Sequence, residues 1–270
     1  MSRKENVLKC LHTLESELLQ ISNTNNNEIL AVIMKNLEIT KNVCVQGLPK
    51  TNCEKYNKLY DDMFLAVKEI ACSDNAKIKK HSFSKCNELI KRLIHKTEKE
   101  TKFKKDVVFL PYKASMWDSL ESVWKVAFND KVHCNAYVMP IPYAERNPDG
   151  SAARWYCDKD EFPQYVPMLD CKTVDLSAWH PDVVVYQNPY DDMNYVTTVD
   201  SRYYSRNLKL CADKLVYIPY FVLNEPRTEN SVAHFVLTPG VFNADKVIVQ
   251  SEAMRELYIN ILTKCVNIVS

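Results

Sequence analysis

The stretch DVVFLPYKASMWDSLESVW, residues 106–124, decides the fold. It opens as a short apolar run closed by Pro111 and then changes to helical spacing, with apolar residues at 120, 123, 124, 127 and 128. A run of that length ending in proline reads as a buried strand, and the i, i+3, i+4, i+7, i+8 pattern reads as one face of an amphipathic helix. Ser115 with Asp118 supplies an N-cap box for that helix. The stretch is therefore a strand-to-helix corner, and it has neither the glycines nor the basic cluster of a nucleotide loop.

The same grammar returns at residues 134–142, 182–187, 214–219 and 245–250. A second helical stripe follows the last run at Met254, Leu257, Tyr258, Ile261 and Leu262, led in by Ser251 and Glu252. Five short apolar runs separated by helical patterns predict an α/β fold, a Rossmann-like parallel sheet covered on both faces. Residues 143–179 show no sustained periodicity and are expected to form one long connection over the ligand side.

Composition changes near residue 105. Of twelve prolines only Pro49 precedes residue 106, and all four tryptophans follow it. The earlier region steps by threes and fours at Val7, Leu11, Leu14, Leu18 and Ile21, and again at Tyr56, Tyr60, Met63, Val67 and Ile70. Further helical stretches run over residues 28–43, broken at Gly47-Leu48-Pro49, and over residues 84–97. The expected division is a helical region over 1–103, packed as hairpins whose seams also suit a homo-oligomer, and a Rossmann-like domain over 104–270.

Bulk numbers exclude several function classes. A net charge of +1 gives no global pull toward nucleic acid, which is not expected as a partner. Only Gly47, Gly150 and Gly240 occur, so GxGxxG and GxxxxGKS cradles are absent and no dinucleotide cofactor is expected. Ten scattered cysteines form no CxxC or CxxH pair, which signals neither a zinc site nor a disulfide framework. With no secretory leader or membrane span in the pattern, the chain reads as cytoplasmic. Residues 76–105 carry eleven Lys or Arg against three Glu. That run is a solvated helix face, or a contact for an anionic polymer or the inner face of a membrane.

Ligands of open α/β sheets sit beyond the carboxyl ends of the strands, and the unusual residues cluster there. Tyr112, Lys113, Ser115 and Trp117 follow the first run, Tyr143 and Arg146 the second, Asn188, Tyr190, Asp191, Asp192 and Asn194 the third, Tyr220 and Phe221 the fourth, and Ser251 the fifth. Lys113 and Arg146 suit phosphate, the Asn and Tyr side chains suit hydroxyl groups, and Asp191 suits a general base. Asn and Asp in such loops also form turns and caps. His234 precedes the last strand and is the second candidate for the base; the alternative is an ordinary core or surface histidine.

Together the runs FLPYKASMWDSLESVW, YVMPIPYAERNPDG, PDVVVYQNPYDDMNYVT, LVYIPYF and ADKVIVQSEAMRELYI resemble the first half of bacterial CDP-glycerol:glycerophosphate glycerophosphotransferase-like proteins, over about residues 104 to 262. The resemblance implies a GT-B architecture and transfer of glycerol phosphate from CDP-glycerol to a polyol-phosphate or sugar-phosphate acceptor, as in teichoic-acid and capsule synthesis. It further implies that this domain is the acceptor side and that the CDP-glycerol donor is bound by a second domain beyond Ser270. One departure stands out: the family's Trp-His-Gly stretch is replaced by residues 188–194, which contain no histidine. Two other readings compete, a non-catalytic binding or assembly module and an enzyme using Asp191 and Asp192 with a divalent metal.

Overall fold

A computed structural model describes residues 3–21, 27–100, 103–224 and 228–269. The chain divides into two compact units, one of residues 1–105 with 131–133 and the other of residues 106–130 with 134–270. Among the described residues no helix is long and apolar enough to cross a membrane.

The first unit holds α1 (Arg3–Ile21), α2 (Asn27–Gln46), α3 (Lys50–Cys72) and α4 (Ala76–Lys99). Helix α1 packs on α2 and α4, and α3 packs on the same two. The heptad-like seams meet in the centre, where Val7, Leu11, Leu14, Leu18, Tyr56, Tyr60, Met63 and Val67 are fully buried. The side chain of Ile21 and all of Lys102, both part of the sequence reading, lie outside the described residues. Helix α4 starts at Ala76, earlier than the expected residue 84, because the Asn75 side chain accepts the Lys77 N–H at 2.9 Å and caps it.

The second unit is built on β1 (Lys105–Leu110), α5 (Asp118–Asn129), β2 (Cys134–Val138), β3 (Tyr143–Arg146), β4 (Ala152–Tyr156), α6 (Leu176–Trp179) and β5 (Val183–Tyr186). It continues with β6 (Thr197–Val199), α7 (Ser205–Cys211), β7 (Lys214–Tyr217), α8 (Ala233–Val236), α9 (Pro239–Asn243), β8 (Lys246–Val247) and α10 (Glu252–Val269). The five apolar runs pair in the order β2-β1-β5-β7-β8. β1 with β5, β5 with β7 and β7 with β8 are parallel. This is the doubly wound, Rossmann-like arrangement in which the strand order reverses beside the first strand.

Side chains alternate across the strands. Phe109 and Val185 face a core with Leu120 and Trp124, whereas Val108, Leu110, Val184 and Tyr186 face the opposite core with Leu208, Tyr217, Val241 and Tyr258. Trp117 corrects the sequence reading. Expected beside a cleft, it is 4% exposed, with its ring centroid 5.6 Å from that of Trp124 and 5.8 Å from that of Phe162. The reason is helical phase: Trp117, Leu120 and Trp124 share one face, while Val123 turns outward at 44% exposure. Ser115 does not cap α5 either; a 3-10 turn over Ala114–Met116 intervenes, and Ser115 is exposed.

The long connection is also more ordered than its sequence suggested. β3 and β4 form a hairpin around Gly150, and β6 pairs antiparallel on the other side of β3, giving a three-stranded sheet β4-β3-β6. Tyr143 lies opposite Tyr156, their rings stacked at 5.5 Å.

Two contacts tie the loops of this unit to its sheet, one beyond β5 and one at the amino ends of β7 and β8. The Gly240 N–H donates to the Pro189 carbonyl at 2.7 Å, and a Cβ at position 240 would lie 2.4 Å from the Pro189 Cα. Gly240→Ala is therefore expected to destabilise the fold by about 1–3 kcal/mol through overpacking, read from the denaturation midpoint. Asp245 accepts Lys209 Nζ at 2.7 Å, the Leu215 N–H at 2.8 Å and Lys214 Nζ at 3.3 Å. The Lys209 hydrogen bond, then that of Leu215, hold its carboxyl down at about 2, against an ordinary 3.8. A folded pKa below the unfolded one means stability present above the unfolded value and lost as pH falls through the folded one. Asp245→Asn should lower Tm at pH 7, with the difference from wild type closing between about pH 4 and pH 2. A difference independent of pH would contradict this assignment.

Candidate functional site

Reversal of strand order between β1 and β5 sends their following loops to opposite faces of the sheet and leaves a crevice at the carboxyl edge. A cavity of 520 Å³ opens there, within the range common for small-molecule sites. The loop after β1 contributes Tyr112, Lys113 and Met116, and the loop after β5 contributes Tyr190 and Met193 through Thr197. The loop after β7 contributes Tyr220, and α8 with the turn behind it contributes His234, Leu237 and Thr238. A larger hollow of 590 Å³ is lined by the segment before β5 and by α7, and its polar residues include Lys172, Asp175 and Arg202. It contains none of the residues singled out from sequence.

Four of the residues given a binding or catalytic role from sequence, Lys113, Tyr190, Asn194 and His234, line the cavity together. The Lys113 ammonium lies 5.0 Å from the centroid of the Tyr143 ring, a cation-π contact that holds the charge at the cavity margin. Tyr143 O–H in turn donates to Asp158 Oδ1 at 3.0 Å, and Asp158 Oδ2 accepts the Ala114 N–H at 3.1 Å. One carboxylate thus fixes both the residue after Lys113 and the ring beneath its ammonium.

Tyrosines dominate the remaining wall. Tyr112 packs edge-on against both Tyr143 and Tyr220, with centroids 5.8 Å apart in each case. Burial, reinforced by Tyr220, pushes the Tyr112 and Tyr190 phenols upward, and burial with the Asp158 bond pushes Tyr143 up to about 12. These phenols are neutral at physiological pH, so they offer hydrogen bonds rather than negative charge. Tyr112 and Tyr220 were placed at this edge by their positions immediately beyond apolar runs but given no role there, and Thr238 was not picked out from sequence.

The other sequence candidates surround the cavity without lining it. Arg146 is tied to the β3–β4 hairpin, donating to the Gly150 carbonyl at 2.5 Å and to the Asp192 carbonyl at 3.3 Å. Asn188 is nearly buried, its side chain accepting the Tyr190 N–H at 3.3 Å. Ser251 caps α10 through the Met254 N–H at 3.2 Å. Asn194 lines the cavity, yet its amide already bonds Thr197 Oγ1 at 3.1 Å and the Val196 N–H at 2.8 Å, forming a local turn.

Asp191, the leading base candidate from sequence, is directed elsewhere. It is 1% exposed and adopts φ 49°, the left-handed region that Asp tolerates better than most residues. Its Oδ1 accepts the Ser205 N–H at 2.6 Å and its Oδ2 accepts the Ser205 hydroxyl at 2.9 Å. Asn243 donates to the same hydroxyl at 2.9 Å. Burial raises the Asp191 pKa, opposed by the two Ser205 bonds. Asp192 points away to Arg206, at 3.2 Å. Among the described residues no group of three His, Cys, Asp or Glu is placed to hold a metal ion.

Asp191 therefore anchors the loop after β5 to the start of α7. Asp191→Ala is expected to cost about 1–3 kcal/mol by leaving the buried Ser205 donors unmatched, measured by denaturant unfolding. A variant as stable as wild type would refute the anchoring role. In comparisons with known proteins, no family model, curated protein or solved structure matches the chain.

Proposed function

We propose that the cavity at the β1/β5 edge binds a phosphorylated polyol or sugar, and that this domain is the acceptor side of a CDP-glycerol-dependent glycerophosphotransfer. The observation that carries the reading is the lining itself: one cation, Lys113, one imidazole, His234, and a wall of neutral phenols in a single cavity. Lys113 suits one phosphate group, and Tyr112, Tyr190 and Tyr220 suit hydroxyl groups and the carbon faces between them. Sequence resemblance supplies the reaction class.

In that reaction an acceptor hydroxyl oxygen attacks the phosphorus that bears the glycerol. The new phosphorus–oxygen bond forms as the bond to CMP breaks, and the hydroxyl proton passes to the His234 imidazole. An imidazole is the side chain in this lining suited to that transfer, since the Asp191 carboxylate is held by Ser205. Bringing the hydroxyl to a fixed phosphorus lowers the barrier by orientation.

A non-catalytic binding module is the second reading. It is favoured by the internal commitment of Asp191 and Asn194, which leaves His234 without a partnering acid in the lining. Calorimetric titration with glycerol 3-phosphate, and an assay of CMP release from CDP-glycerol run with a donor-binding domain present, because the acceptor side alone is expected to be inactive, separate the two. Lys113→Ala should weaken glycerol 3-phosphate binding about tenfold, the loss of one charge-assisted contact. His234→Ala should leave that affinity within about threefold and reduce CMP release about 100-fold. Binding without CMP release selects the module, and an unchanged affinity in Lys113→Ala overturns both readings.

A further inference from the structure

The first unit carries a feature that the cavity in the second does not use. Between α3 and α4 lies a groove of 660 Å³ lined by Lys55, Lys58, Arg92, His95 and Lys96, with Asp62 as its one carboxylate. Four formal positive charges and an imidazole thus face one negative charge. Spacing explains the convergence: Lys55, Lys58 and Asp62 fall on one stripe of α3, and Arg92, His95 and Lys96 fall on one stripe of α4. The stripe on α3 extends over about 10 Å and that on α4 over about 6 Å, at the helical rise per residue.

Ordinary ion pairing does not neutralise the groove. Arg92 meets Glu88 at 3.7 Å in a pair where both side chains are largely exposed, the kind of contact that contributes little. Among the described residues Lys55, Lys58 and His95 have no carboxylate partner. Lys96 is held by an aromatic ring instead, its ammonium 4.8 Å from the centroid of the buried Tyr56. The ring orders that cation without cancelling its charge.

We infer that this groove binds a linear polyanion with phosphates repeated along one chain. A single phosphate would use one or two of these cations, whereas two stripes facing each other over this length suit several phosphates in succession. A membrane surface fits less well. Interfacial helices present large exposed apolar side chains beside their basic residues, whereas the one apolar residue of this lining, Leu59, packs against the helical core, and the exposed Leu65 and Ile78 of α3 and α4 lie outside the groove. Single-stranded nucleic acid fits less well too, because the lining offers no Phe, Tyr or Trp on which bases would stack.

Fluorescence anisotropy of the full chain with end-labelled inorganic polyphosphate tests this, at two or more salt concentrations. Wild type should bind, and Lys58→Glu with Arg92→Glu should weaken binding at least tenfold. That double variant should also reduce the slope of log affinity against log salt by about one to two, as cation contacts are lost. The control pair Lys77→Glu with Lys80→Glu carries the same charge change on exposed positions of α4 outside the groove. It should stay within about threefold of wild type, with circular dichroism confirming that both variants fold. Equal loss in the two pairs would reduce the effect to net charge and overturn the proposal. So would absent binding in wild type, tighter binding to anionic vesicles that ignores the groove variants, or a clear preference for a single-stranded oligonucleotide of equal phosphate number. None of these results depends on the cavity at the β1/β5 edge.

Discussion

Parallel pairing of β1 with β5, running from Val107 beside Val183 to Leu110 beside Tyr186, is the constraint on which the second unit depends. Two parallel strands side by side end at the same edge, and their chains leave for opposite faces when the strand order reverses between them. Helix α5 accordingly covers the face of Phe109 and Val185, and α7 covers the face of Leu110 and Tyr186. The loops diverge, and the space between them is the crevice. Gln187 spans its base, its amide donating to the Met116 carbonyl at 2.7 Å and to Ser119 Oγ at 2.6 Å. The crevice is thus a consequence of topology before any chemistry is placed in it.

What makes it a defined cavity is a layer of buried polar contacts behind the loops. Asp191 joins the loop after β5 to Ser205, Ser205 joins Asn243, and Gly240 joins the same loop through Pro189. The Tyr186 hydroxyl also donates to the Gly240 carbonyl. All of these groups but the half-buried Asn243 are buried, so their bonds matter more by what their absence would leave unmatched than by their own strength. A loop held at several points is pre-organised, and Tyr190 and Asn194 sit at the free rim of such a loop.

The sheet was legible because buried parallel strands are near-continuous apolar runs, and all five such runs became its strands. The helical seams were legible for the equivalent reason at a period of 3.6. The three-stranded sheet was not, because β3 and β4 are short and half exposed, with Arg154 and Trp155 turned to solvent on β4, and show no clean alternation. Trp117 was misread by one turn of helical phase. The Asp191 role was hidden because its partner, Ser205, lies fourteen positions downstream, a contact no local pattern records. Loop position suggested Lys113, Tyr190 and Asn194 as candidates, but only the tertiary path of the chain puts His234 beside them.

The least legible element proves to be the one that sets the cation. Lys113 follows β1, and nothing on its own strand aims the ammonium. Its ring partner, Tyr143, begins β3, and Asp158, just beyond β4, takes both the Tyr143 hydroxyl and the Ala114 N–H. A neutral phenol between ammonium and carboxylate keeps the two charges from collapsing into a direct pair, while the shared carboxylate still fixes where the lysine stands. The charge at the margin of the cavity is therefore not cancelled by the contact that orders it, which is an aromatic face rather than a counter-ion. The same solution holds Lys96 over Tyr56 in the helical unit. In each unit a partly buried lysine is thus ordered by the face of a tyrosine rather than by a carboxylate, the same local device in two different architectures.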